Sequence, residues 1–225
     1  MKKLFKLFML SLLIVLTAAC GASKTEKVYV IGTNAEYPPF EYLEDGKVCG
    51  LDADIIAAIA QKLNIQYKWS NTNFDGLIPA LQTKKMDAVI AGMSITPERA
   101  KAVNFSIPYL SSNVAFIANK SKPINGIEDL ENKNYGAELG TTKEAAARKI
   151  KGATVTPFSS NTGALVALKF VENNPELMLV GALEGEPKAI AFNKDDTELM
   201  EKFNKALQEL IDDGTIQKLR EKYGV

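Results

Sequence analysis

The sequence predicts an α/β protein of two lobes, each an open α/β sheet, with a cleft between them. Three observations carry this. From residue 28 to residue 90, apolar runs and helical periodicity alternate as strand, helix, strand, helix, strand, which is the order of an open α/β sheet. The same alternation begins again after Pro123. Between the two series the chain runs through extended segments, at 106–109 and 114–118. Ligands in such sheets sit at the carboxyl ends of the strands.

In order, residues 28–31 form a strand closed by Gly32, Thr33 and Asn34. Tyr37, Pro38, Pro39 and Phe40 make a stiff loop that presents two rings, and Asp45-Gly46 signals a hairpin. Leu51, Ile55, Ile59 and Leu63 recur at helical spacing behind Asp52 and Asp54, acids suited to a first turn. A strand over 65–69, a turn at Asn73 to Gly76, a helix over 77–83 and a strand over 88–90 follow. The second series reads as a short helix over 127–131, a strand over 135–139, a helix over 142–151 and a strand over 154–158. A helix over 163–173 is stopped by Asn174-Pro175, and short strands follow at 177–180 and 189–192. An amphipathic helix over 197–212, with Leu199, Phe203, Leu207 and Leu210 on one face, and a short helix to Tyr223 end the chain.

With 225 residues and 46% hydrophobic content the chain can bury a real core. Its 27 basic and 27 acidic residues leave no nucleic-acid footprint. The absence of histidine removes the usual general base and the commonest metal ligand. Lys2, Lys3 and Lys6 followed by the apolar run 7–16 and small residues before Cys20 make residues 1–19 an export signal. This resembles a bacterial lipoprotein signal, in which Cys20 is lipidated and 20–27 form a linker from the anchor. Thr17 stands where that pattern prefers leucine, so ordinary secretory cleavage stays open. Cys49 is then a lone thiol, which excludes a disulfide framework and a cysteine zinc site.

The stretch 91–99 is the centre of the chemistry. Thr96 suits an N-cap and Pro97 the first helical position, so free N–H groups with Arg99 beside them can receive a carboxylate. Gly92 permits close approach to the main chain, and Ser94 can donate to an anion or accept from an ammonium. Taken alone, the stretch reads equally well as an ordinary strand-to-helix turn with Arg99 in a surface ion pair. Three further strand-end loops bring Asn34 and Tyr37, Phe74 and Asp75, and Glu138 to Thr142. Thr141 with Glu144 is a capping-box pair, and the rings of Tyr37 and Phe74 can sandwich a side chain or face a cation.

Residues 32–41, 50–54, 73–82, 91–100, 103–106, 139–142 and 213–215, in this order and spacing, resemble the extracytoplasmic solute-binding proteins of the polar amino-acid family (family 3), receptors of ABC importers. The resemblance implies a type II periplasmic-binding-protein-like fold closing by a hinge, with residues 28–115 and 188–225 as lobe one and 116–187 as lobe two. It implies no catalysis, no cofactor, no metal and a monomer. Its partners are an amino acid, the membrane subunits of an ABC permease, and the membrane through lipidated Cys20. Carried over position by position, Arg99 pairs with the ligand carboxylate, helped by the N–H groups of Ser94 and Thr142 and the Thr141 hydroxyl. The carbonyl of Ala91 or Gly92 and the Ser94 hydroxyl accept from the ammonium, with Met93 in the same loop. Tyr37 and Phe74 clamp the side chain, and Asn34 and Glu138 line its far end. Glu138 tips the expectation toward a basic side chain, since a pocket carboxylate beside an apolar one is unpaired.

One stretch departs from the family. There, the helix corresponding to 163–169 ends in a glycine turn, followed by a strand finishing in an Asp that accepts from the ligand ammonium. Here 168–174 run straight on, and roughly 15–20 residues, one strand with its turns, are missing from lobe two. Two other readings therefore stand beside the receptor. One is a same-fold enzyme of the cyclohexadienyl or arogenate dehydratase kind, with Glu36 and Glu138 as its acid/base candidates. The other is a degenerate copy that no longer binds.

Overall fold

The computed structural model describes residues 27–122, 124–159 and 174–225. The export signal, Cys20 and most of its linker lie outside the described residues, as do the helix expected over 163–173 and the shortened stretch up to residue 173.

The strands are β1 (Val28–Thr33), β2 (Glu36–Tyr37), β3 (Glu41–Glu44), β4 (Lys47–Cys49), β5 (Gln66–Asn71), β6 (Ala88–Val89), β7 (Asn104–Phe105), β8 (Leu110–Asn119), β9 (Asn134–Glu138), β10 (Thr154–Phe158), β11 (Leu177–Lys188) and β12 (Ala191–Phe192). The helices are α1 (Leu51–Leu63), α2 (Phe74–Gln82), α3 (Pro97–Ala102), α4 (Thr142–Arg148), α5 (Thr197–Asp212) and α6 (Thr215–Tyr223), with one 3₁₀ turn at Ile127–Asp129. Asp45 and Gly46 both take positive φ, which makes the β3–β4 hairpin of the primed kind. α1 ends on left-handed Asn64, where backbone N–H groups return to the carbonyls of Ala60 and Gln61.

Several bounds differ from the sequence pattern, each for a local reason. α2 starts at Phe74, three residues early, because Asn73 turns the chain and Asp75 suits the first turn; Pro79 sits inside at the loss of one intrahelical bond. α4 stops at Arg148, short of the expected 151, and residues 127–131 hold a single 3₁₀ turn. The largest difference is β11. Gly181, Gly185 and Pro187 disguise a strand of 12 residues, of which the pattern shows only 177–180. Irregularities between Leu179 and Gly181 and between Leu183 and Glu186 absorb these breakers while β11 stays paired antiparallel to β8.

One lobe is built on a five-stranded sheet in the order β5-β1-β6-β12-β7. β1 runs parallel to β5 and β6, while β12 runs antiparallel to β6 and β7. On one face Ile31, Ile90 and Phe192 pack with Leu51, Ile55 and Ile59 of α1 and with Phe203, Leu207 and Leu210 of α5. On the other, Val89 and Ala191 pack with Leu77 and Leu81 of α2 and with Met86, Met93 and Val103. A sheet buried on both faces explains the uninterrupted apolar run at 88–91.

The other lobe is thinner. Its strands form two separate ladders, β10-β9 parallel and β11-β8 antiparallel. In the five-stranded sheet β6 joins β1 to β12; among the described residues no strand joins the two ladders. Phe116 of β8 and Tyr135 of β9 bridge them with an edge-to-face contact, centroids 6.1 Å apart. Ile127, Leu139, Phe158, Leu179 and Leu183 are all more than a third exposed. An apolar surface left in water adds nothing to stability, so this lobe is the weaker one. Native-state hydrogen exchange is expected to show amides of β8, β9, β10 and β11 opening at lower free energy than those of β1 and β6. Equal protection in both sets contradicts this.

Candidate functional site

β6 delivers the chain into the turn at Ala91 and Gly92. Gly92 has φ of +50°, a left-handed conformation that favours glycine, and it lies against the Tyr37 ring. Its N–H donates to Asp52 Oδ2 at 2.7 Å, and the Tyr109 hydroxyl donates to the same oxygen at 3.0 Å. Burial pushes Asp52 up to about 6 against the pull of these two donors. Burial, and then the adjacent Asp52, push the Glu41 carboxyl well above the usual range. Glu41 Oε2 and Asp52 Oδ1 find no donor among the described residues; one proton between the two carboxyls satisfies both. This pair fixes the floor of the cleft under Tyr37, which is stacked on Phe40 with centroids 5.0 Å apart.

Thr96 caps α3, its hydroxyl accepting from the Arg99 N–H, and so sets Arg99 in the first turn. The guanidinium donates from Nη1 to the Ser94 carbonyl at 2.8 Å and from Nη2 to the Gly140 carbonyl at 2.9 Å. It lies over the Phe74 ring, 5.1 Å from the centroid. Arg99 thereby ties the five-stranded lobe to the β9–α4 turn of the other. Gly140, at φ of +78°, allows that approach: a Cβ there would sit 3.3 Å from the Asp75 Cβ. Ser94 and Thr142 face each other with hydroxyls 3.5 Å apart. The Ser94 hydroxyl accepts from Lys188 Nζ at 2.6 Å, and burial, with Lys143 and Arg99 nearby, lowers Lys188 to about 8.

Across the cleft, the Thr141 hydroxyl donates to the Glu138 carbonyl at 2.7 Å and accepts from the Glu144 N–H. Glu144 returns a carboxylate oxygen to the Gly140 N–H at 2.7 Å, a capping box shifted by one residue from the expected form. Glu138, at the end of β9, is buried, and burial raises it to about 7 against the pull of Lys143. Asn34 is held by donation from Nδ2 to the Thr72 carbonyl at 3.1 Å.

Ten of the residues singled out in the sequence line one cleft of about 340 Å3, part of it open to solvent: Asn34, Tyr37, Phe74, Ala91, Gly92, Ser94, Arg99, Glu138, Thr141 and Thr142. Met93 does not, and this is a correction. Its side chain is fully buried in the core, packed with the cluster that holds Leu77 and Val103. Glu41, Lys143 and Lys188 also line the cleft and were missed. Glu41 has only its place after Phe40 to signal it. Lys143 is hidden in an ordinary helix start, and Lys188 lies in the part of β11 whose breakers concealed a strand.

Residues 29–225 match the model of the bacterial extracellular solute-binding proteins, family 3. The chain belongs to that family, and its fold is that family's two-lobed α/β fold. It is 34% identical over 253 aligned residues to a probable histidine-binding protein of Campylobacter jejuni, covering 99% of each chain. It is 32% identical over 251 residues to an arginine-binding extracellular protein of Bacillus subtilis, covering 99% of this chain and 98% of the relative. Both alignments are longer than the 225 residues of this chain, so these relatives carry residues opposite gaps in it. Among solved structures, an ancestral arginine-binding protein bound to arginine superposes with a TM-score of 0.82 at 40% identity, covering 87% of this chain and 97% of that one. These relatives are binding proteins rather than enzymes.

Asp52, Glu41 and Glu138 all have raised pKa values, so the folded chain keeps protons that the unfolded chain releases. The stability tied to Asp52 and Glu138 is complete below their unfolded values of about 4 to 4.5 and is lost as pH rises through about 6 to 7, and the raised Glu41 acts with the same sign. The melting temperature is expected to fall between pH 5 and pH 7.5. Glu138→Gln removes its own share, roughly 3 kcal/mol at most, and flattens the slope. A wild-type profile flat over this range, or one unchanged by the substitution, contradicts the assignment.

Proposed function

We propose that this protein is the extracytoplasmic receptor that binds one polar amino acid, with a basic side chain favoured, and hands it to the membrane subunits of an ABC permease. The observation that supports this best is the convergence, between two lobes, of one forked guanidinium with polar hydroxyls, two aromatic faces and a buried carboxyl. Arg99 is placed to take the ligand carboxylate by exchanging its contacts with Ser94 and Gly140 for a bidentate pair. The hydroxyls and N–H groups of Ser94, Thr141 and Thr142 stand beside that position, and the carbonyls of Ala91 and Gly92 face the ammonium. Tyr37 and Phe74 bound the side chain, with Asn34 and Glu138 at its far end. The arginine- and histidine-binding relatives are in keeping with a cationic side chain there. In this reading residues 28–115 with 188–225 form lobe one and 116–187 lobe two. The protein acts as a monomer, with residues 1–19 as the export signal and Cys20 as the lipid anchor.

A ligand that binds the native state raises its melting point by mass action, by about 2.7 kcal/mol at a hundredfold excess over the dissociation constant. In a panel of the twenty amino acids, arginine, lysine or histidine is expected to raise the melt of the wild-type protein. Arg99→Met is expected to lose the effect, binding about a hundredfold more weakly. A cooperative melt that no amino acid moves overturns the proposal. The raised carboxyls of Glu138 and Glu41 keep a dehydratase reading in view, because a protonated acid in a cleft is half of what that chemistry needs. Turnover of a prephenate-type acid by the same preparation, lost in Glu138→Gln, is the result that favours it over the receptor.

A further inference from the structure

Lys143 is the second residue of α4, where the partial positive charge of a helix start makes a cation unfavourable. Its position is therefore not explained by the helix. Nor is it paired on its own side chain's turn: its ammonium crosses the cleft and lies 3.8 Å from the centroid of the Tyr37 ring. It lines the cleft with Glu138 and Glu41, the two carboxyls whose charge acts on it, while burial pulls its own pKa below the usual lysine range. Tyr37 and Glu138 are two of the groups that, in the receptor reading, surround the ligand side chain, Glu138 at its far end. An ammonium of the protein's own thus stands where a ligand cation would be held. Two cations on one ring face and one buried carboxyl repel strongly, since the cleft screens them poorly. Lys143 as a whole is only partly buried, and its stem has four carbons, so the ammonium can leave the cleft for water while α4 stays in place.

We propose that Lys143 is a tethered occupant of the side-chain end of the cleft. A basic ligand must expel it, and a neutral polar ligand can keep it as a hydrogen-bond donor. Lys143 is then a specificity-determining residue that narrows the preference between a cationic and an amide side chain. This rests on the receptor reading and adds to it a competition within the chain that the relatives' names do not describe.

The test compares the wild-type protein with Lys143→Met, which keeps the stem and removes the charge, by calorimetric titration with L-arginine and with L-glutamine. Arginine is expected to bind about tenfold more tightly to the variant, while glutamine binds no more tightly, so that the ratio of the two affinities shifts toward arginine. A second readout uses protein labelled with 13C at the lysine Cε, the Lys143 signal being assigned by its loss in the variant. That signal is expected upfield from the Tyr37 ring current and is expected to move to the position of exposed lysines as arginine saturates the protein. An unchanged affinity ratio, equal changes for both ligands, or a Lys143 signal that arginine leaves in place overturns the inference and leaves the receptor reading standing. A wild-type protein that binds no amino acid overturns the receptor reading, and this inference with it.

Discussion

Arg99 holds two carbonyls on opposite sides of the cleft, so that one guanidinium grips both lobes, beside the Ser94–Thr142 and Lys143–Tyr37 contacts. Its contact with the Ser94 carbonyl fixes it to the turn after β6, and its contact with the Gly140 carbonyl reaches the turn before α4. A neutral carbonyl is a weaker acceptor for a guanidinium than a carboxylate is. The fork is therefore satisfied enough to be held in place and weakly enough to be recruited. Everything near it serves that position: the Thr96 cap sets its backbone, the Phe74 ring supports its plane, and Gly140 lets the opposite turn come close. In the proposed function this one group both latches the lobes and receives the ligand.

The cleft is crowded with charge of both signs, and burial rather than pairing governs most of it. Glu41, Asp52 and Glu138 are pushed toward their neutral forms, while Lys143 and Lys188 are pulled toward theirs. Such groups change protonation at modest cost when a charged molecule arrives, so ligand charge and proton uptake or release are coupled here. The thin lobe bears on the same balance. Among the described residues its two ladders meet through Phe116 and Tyr135, and Glu138, Thr141, Thr142 and Lys143, which it brings to the cleft, lie on the single β9–α4 unit, while Lys188 comes from the far end of β11. That unit is held locally by the shifted capping box and by the parallel pairing of β9 with β10. The cleft-facing turn is thus insulated from the thinness of the sheet behind it.

The parts of this molecule that were legible in the sequence are those fixed by short-range chemistry. Thr96-Pro97, Thr141 with Glu144, and Asp45-Gly46 each act within a few residues, and each appears where the pattern places it. The apolar periodicity of α1 and α5 carried over for the same reason. What escaped was set by distant partners. β11 survives its glycines and proline because β8 supplies a ladder for it, which local propensity does not register. Met93 sits among loop neighbours that face the cleft, yet the core around Leu77 and Val103 takes its side chain. Lys143 and Lys188 look like surface cations until the fold brings Lys143 across the cleft to Tyr37 and sets Lys188 beside Ser94.

The measurement that reaches the central claim most directly is calorimetric titration of the purified protein with L-arginine and with agmatine, which differs only in lacking the carboxylate. Clamping of the carboxylate at Arg99 predicts that agmatine binds at least about a hundredfold more weakly. If agmatine binds as tightly as arginine, Arg99 is only a latch between the lobes, and the account of the cleft as an amino-acid site fails at its centre.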